Sequence, residues 1–154
     1  MELATTTSDR FLRHALERML SVAWRVPDPL LNERPAGDDT NSVAALVVHC
    51  CGVVEYWLGH VAFGEPTTRD RDGEFTATAT IEELTALVTS TLERAGYLLQ
   101  RLDEPRAHDS ASRPPLYGGD RSDAAIALHV LEECFQHLGH AELAADILAS
   151  RVSR

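Results

Sequence analysis

Residues 128–140 read L-H-V-L-E-E-C-F-Q-H-L-G-H and fall within an apolar-periodic segment. On a helix, at about 100° per residue, His129, Glu133, His137 and His140 lie within roughly 80° of one another. Imidazole nitrogen and carboxylate oxygen are the donors that Zn²⁺ and other first-row divalent metals accept. A catalytic centre holds three such protein donors and keeps one position open. Glu133 and His137, four residues apart, present an oxygen and a nitrogen from successive turns. Bundle metal sites are built from facing helices, so a further donor must come from elsewhere. His49 is the candidate: it is embedded in an almost wholly apolar stretch, where an unpaired imidazole would be costly. His129 and His140 are open to two roles, replacing one donor or supporting the others from beside them. The competing reading makes His49 a hydrogen-bonded core histidine and Glu133–His137 a surface pair.

These side chains need long helices to position them, and the apolar periodicity supplies four. The first runs from about Ser8 to Trp24, with Phe11, Leu12, Ala15, Leu16, Met19, Leu20 and Ala23 on one stripe and Ser8-Asp9 as its expected N-cap. Pro27 and Pro29 end it. The second runs from about Asn41, its expected N-cap, to about Phe63, where Gly64 and Pro66 follow. It is apolar nearly all round, as a helix buried between neighbours is, and His49, Val53, Tyr56 and His60 share one of its faces. Thr80 and Glu83 form a capping box that opens the third helix, which Pro105 stops. The fourth begins near Ser122 or Asp123 and runs to about Ser150, with Ile126, Leu131, Phe135, Leu138 and Ala145 as its apolar flank, extended by Ala124, Leu128 and Leu148.

No useful length of strand-type alternation occurs. The expected fold is an all-α four-helix bundle in a single domain over 1–154. The connection 65–79 is longer than adjacent antiparallel helices need; it fits a crossover along the bundle, which makes helices two and three point the same way. Within it, R-D-R-D-G-E reads as a solvated turn with local ion pairs, and Phe75 as the residue that pins it to the core.

A formal charge of −10 argues against nucleic acid, whose phosphates need a basic face, and against an anionic membrane surface. No apolar run is expected to reach the roughly 20 residues of a bilayer span, and the N-terminus lacks the pattern of a signal peptide. A cytoplasmic location follows as the default. Cys50, Cys51 and Cys134 are odd in number, and the first two are adjacent, which suits buried reduced thiols better than disulfides. All 14 basic residues are arginine, a pattern that suggests a GC-rich source.

V-V-H-C-C-G-V-V-E-Y-W (47–57), R-D-R-D-G-E-F (69–75) and L-H-V-L-E-E-C-F-Q-H-L-G-H-A-E (128–142) together resemble the DinB-like superfamily. More narrowly, they resemble its actinobacterial branch of mycothiol-dependent S-transferases and the bundle domain of mycothiol-dependent maleylpyruvate isomerase. The resemblance implies an up-down-down-up bundle with a metal held by His49, Glu133 and His137. It makes Zn the leading metal, with Ni, Fe, Co or Mn as substitutes, and mycothiol a thiol co-substrate. The implied activity is transfer of a small-molecule thiol to an electrophile; His140 or His129, within reach on the same stripe, is then the candidate acid or base. The chain as given lacks the isomerase's additional C-terminal domain, which lowers the expectation of isomerisation itself. A non-catalytic metal-binding bundle and a metal-dependent hydrolase are the alternatives. A homodimer is a further expectation, because the second helix would suit an interface between chains.

Overall fold

The structure, a computed structural model, describes residues 4–102, 104 and 110–152. Four long helices and one short one appear in chain order: α1 (Thr5–Arg25), α2 (Val43–Val54), α3 (Arg71–Glu74), α4 (Ile81–Arg101) and α5 (Asp123–Val152). No strand occurs among the described residues. The all-helical fold agrees with the periodicity, and the stop assigned to Pro105 lies outside the described residues.

Apolar stripes explain which faces meet. Leu12, Leu16 and Met19 of α1, Leu46 of α2, Leu84 and Leu98 of α4, and Ile126 and Leu148 of α5 are fully buried. Burying a side chain of this kind contributes roughly 1.5–3 kcal/mol. Both α1 and α2 pack chiefly against α4 and α5, so α2 presents a face directly to α5. The apolar surround of α2 is thus covered within the chain: Val43, Leu46, Val47, Cys50, Val53 and Val54 all lie in one core. The feature that suggested a dimer is satisfied by α1, α4 and α5.

Helix ends follow capping chemistry, with two departures from expectation. At α1 the first residue is Thr5, capped at Ala4, and Ser8 is a buried interior residue, not the N-cap. For α2 the cap is Ser42 rather than Asn41; its hydroxyl accepts from the Ala45 amide at 3.1 Å. The Thr80–Glu83 capping box at α4 is present in both directions. Ser122 opens α5 by accepting from the Ala125 amide. The apolar flank of α5 is rotated from the expected one. Val130, Cys134 and Ala141 are buried, whereas Ala124, Leu128 and Phe135 face outward. Phe11 of α1 is likewise exposed and meets Phe135 edge-on at 6.3 Å between ring centroids. On a chain of this size, polar atoms are too few to cover every outward face.

Beyond Val54, α2 continues as a π-helical segment over Glu55–Val61. Such widened turns are uncommon and recur at functional sites. Gly64 follows with φ +71°, a left-handed conformation that glycine adopts at no steric cost, and its amide bonds to the His60 carbonyl at 2.8 Å. The span Val43–Val61, 19 residues with hydropathy 1.4, is long and apolar enough to cross a membrane, contrary to the expectation that no run would be. Two-thirds of it is buried inside the bundle, which is the ordinary condition of a core helix.

The connection from α2 to α4 is anchored along its length. Glu65 pairs with Arg94 at its start, and Asn32 exchanges two hydrogen bonds with the Ala79 backbone at its end. Between them lies α3, whose N-terminus is capped by the Asp70 carboxylate accepting from the Gly73 amide at 3.1 Å. α3 packs on α2, bringing residues 69–75 over the face that carries His49.

Candidate metal centre

His49 of α2 meets Glu133 and His137 of α5 where the two helices pack. Glu133 Oε2 lies 3.6 Å from His49 Nε2 and 3.7 Å from His137 Nε2. One donor atom from each residue lies within 4.8 Å of the others. Both imidazoles aim Nε2 at the same carboxylate, and their rings stand edge-to-face with centroids 4.7 Å apart. Two nitrogens and one oxygen converging from two rigid helices fit a borderline divalent ion such as Zn²⁺, and three protein donors leave room for one more.

The outward nitrogens are engaged as well. His49 Nδ1 lies 2.8 Å from Glu74 Oε2 in α3. Glu74 is itself buried and accepts two hydrogen bonds from Arg69, Nε to Oε1 at 2.6 Å and Nη2 to Oε2 at 2.8 Å. Phe75 stacks on His49 with centroids 4.3 Å apart. On the other side, His137 Nδ1 lies 3.3 Å from His140 Nδ1. Burial, followed by the neighbouring His49, pushes the His137 pKa down to about 4, while Glu133 opposes the shift. At neutral pH its ring is therefore neutral, the form in which imidazole donates to a metal.

Part of the charged run 69–74 is not solvated. Glu74 is buried against Arg69 and His49, and Arg69 is largely covered, while Arg71 and Asp72 point outward as a loose pair at 3.9 Å. An apolar bundle tolerates this buried charge because Arg69 meets the carboxylate in fork geometry and His49 satisfies the same group. Sequence reasoning placed Phe75 against the core and passed over its neighbour Glu74. The available signal was Gly52, one turn beyond His49, which leaves α2 open at that point.

His129 and His140 occupy opposite sides of the centre. His129 lines a cavity of about 470 Å³ together with Glu133, Val53, Tyr56, Trp57, Thr67, Arg69 and Arg71. The Trp57 ring stands edge-on to His129 at 4.5 Å, carried there by the π-helical segment. His140 is exposed and faces a separate cavity of about 270 Å³, lined also by Leu46, Leu143 and Ile147. His60, expected on the His49 face, instead hydrogen-bonds the Glu65 carbonyl at 2.6 Å and closes the helix end. All three cysteines are buried and free. Cys50 hydrogen-bonds Cys134, and that bond with burial holds the Cys50 thiol well above its ordinary pKa; burial pushes Cys51 up to about 12. Neither is placed as a thiolate donor.

Comparison with curated proteins and with solved structures gives no match for the chain. The family model of the DinB superfamily does match, over residues 12–141, a span that includes α2 and α4 whole, most of α1 and of α5, and His49, Glu133 and His137. The chain belongs to the DinB superfamily.

Proposed function

We propose that this protein is a divalent-metal-dependent thiol S-transferase built on an up-down-down-up bundle, with His49, Glu133 and His137 as the metal ligands. The observation that carries the reading is their convergence within 4.8 Å at the wall of a 470 Å³ cavity, with Glu133 common to both. Zn²⁺ is the first choice for this donor set, and Ni, Fe, Co or Mn suit it too. When bound, the metal supplies a positive centre that favours the thiolate over a free thiol of pKa about 8.5.

The chain's own residues do the rest. Tyr56, Trp57 and Val53 give the cavity an apolar wall, and Arg71 places a cation at its rim for an anionic group on a substrate. The thiol sulfur forms a bond to an electrophilic carbon, and the leaving group departs with the bonding electron pair. His129, facing the same cavity, takes the thiol proton. Mycothiol is the thiol favoured by the resemblance of 47–57, 69–75 and 128–142 to the mycothiol-dependent branch. A small-molecule thiol and electrophile, not nucleic acid or membrane, are the partners that suit an acidic chain of charge −10. A reducing cytosol suits its free cysteines.

The test loads the protein with Zn²⁺ and supplies a thiol panel including mycothiol, with a chlorinated aromatic or bimane as electrophile. Thioether formation that depends on both metal and thiol supports the reading, and H49A and H137A should abolish it. Rates equal to those of metal-free protein across the panel overturn it. Product formed without thiol would identify a hydrolase instead.

A further inference from the structure

We propose that Glu74 is a positioning residue of the metal centre: seated in the notch at Gly52 and clamped by Arg69, it holds the His49 proton on Nδ1 and so presents the Nε2 lone pair to Glu133 and His137. This rests on the metal-binding reading above and adds to it a residue from a third element, the crossover helix α3.

Three observations converge on Glu74. First, its Oε2 lies 2.8 Å from His49 Nδ1, and a carboxylate can only accept there, so Nδ1 must donate. A neutral imidazole with its proton on Nδ1 has its free lone pair on Nε2, the atom that faces the other two donors. Second, the carboxylate cannot swing away freely. Arg69 grips both oxygens in a fork, and the Arg69 side chain is itself only 12% exposed. Third, α2 has been thinned to admit it. A β-carbon on Gly52 would lie 2.1 Å from Glu74 Oε1, so an alanine could occupy that position only by displacing the carboxylate. Phe75, the next residue, stacks on the His49 ring and fixes its plane. A carboxylate behind a ligating histidine sets its tautomer and raises its basicity, and losing such a partner costs about 10–100-fold in metal affinity.

The rival account is that Glu74 only ties the crossover to α2 through Arg69. Zn²⁺ affinity, measured by competition with a chromophoric chelator, and histidine ¹⁵N NMR of the zinc-loaded protein separate the two. In wild type, His49 should ligate through Nε2 and show a slowly exchanging Nδ1–H. E74A should weaken Zn²⁺ binding about 10–100-fold and lose that protected proton. E74Q, whose amide oxygen can still accept from Nδ1–H, should recover most of the affinity. R69A, which cuts the tether and spares the acceptor, should lose less than E74A. Affinity within twofold of wild type in E74A, an equal loss in R69A and E74A, or His49 ligating through Nδ1 overturns the proposal. If E74A does not fold, the wild-type spectrum and E74Q still decide it: E74Q should keep the protected Nδ1–H and most of the Zn²⁺ affinity, and His49 ligating through Nδ1 in wild type overturns the proposal. Failure of wild type to bind Zn²⁺ at all would instead sink the metal reading on which this one stands.

Discussion

A β-carbon on Gly52 would sit 2.1 Å from the Glu74 carboxylate, closer than any tolerated contact, although nothing else in α2 demands a glycine there. Alanine in a helix interior is ordinarily better than glycine by roughly 0.5–1 kcal/mol. G52A should therefore do two opposed things. Its helix propensity favours α2, while its methyl group pushes Glu74 off His49 and out of the Arg69 fork. Zn²⁺ affinity should fall about 10–100-fold, as expected when the carboxylate behind a ligating histidine is lost. Isothermal titration checks this. Tighter or unchanged binding in G52A would mean that the notch has no bearing on the centre.

Removing the metal should be felt as lost stability, because α2 and α5 share the site and an ion binding only the folded chain stabilises it by mass action. Zn²⁺ at about 100 times its Kd adds roughly 2.7 kcal/mol. For a chain of this length that is a Tm shift of roughly 5–10 °C. Thermal melts with Zn²⁺ and then with chelator should show the shift in wild type and none in H49A. An identical melt with and without metal in wild type would leave the three residues as a buried polar cluster.

The bundle was legible because apolar spacing of three and four reports burial directly, and the Thr80–Glu83 box and Gly64 punctuate helices by local chemistry. His49, Glu133 and His137 could be grouped because two of them share a helix stripe and the third interrupts an apolar helix. What escaped was whatever depends on how elements meet. The buried face of α5 turned toward Val130 and Cys134 instead of Leu128 and Phe135, since a helix touching both α1 and α2 takes its rotation from both. Arg69 and Glu74 looked solvated because a charge run normally is. Only the approach of α3 to α2 makes one carboxylate partner to a histidine 25 positions earlier.

Cys50, Cys51 and Cys134 have essentially no exposed surface, and the Cys51 thiol is pushed up to about 12 by burial. Reaction with a thiol reagent requires an accessible thiolate. Native protein at pH 8 should therefore label none of its cysteines over the time of an activity assay, and denatured protein should label all three. Counting labels by intact mass checks this. A rapidly labelled native cysteine would contradict the packing, and would also make protein alkylation a confounding route in any assay that supplies an electrophile.

His129 and His140 flank Glu133 and His137 but should fail in different ways. His129 faces the 470 Å³ cavity with Glu133, and its ring packs edge-on against Trp57. H129A should therefore leave Zn²⁺ binding near wild type and lower kcat by about 10²–10⁴, the loss typical of a missing general acid or base. His140 touches His137 Nδ1 at 3.3 Å from the opposite side, where it can orient a ligand but does not line the larger cavity. H140A should weaken Zn²⁺ binding while kcat at saturating metal stays within a few-fold of wild type. Metal titration beside steady-state kinetics separates the two. The reverse pattern, with kcat lost in H140A and metal lost in H129A, would move the reaction to the smaller cavity beside Leu143 and Ile147.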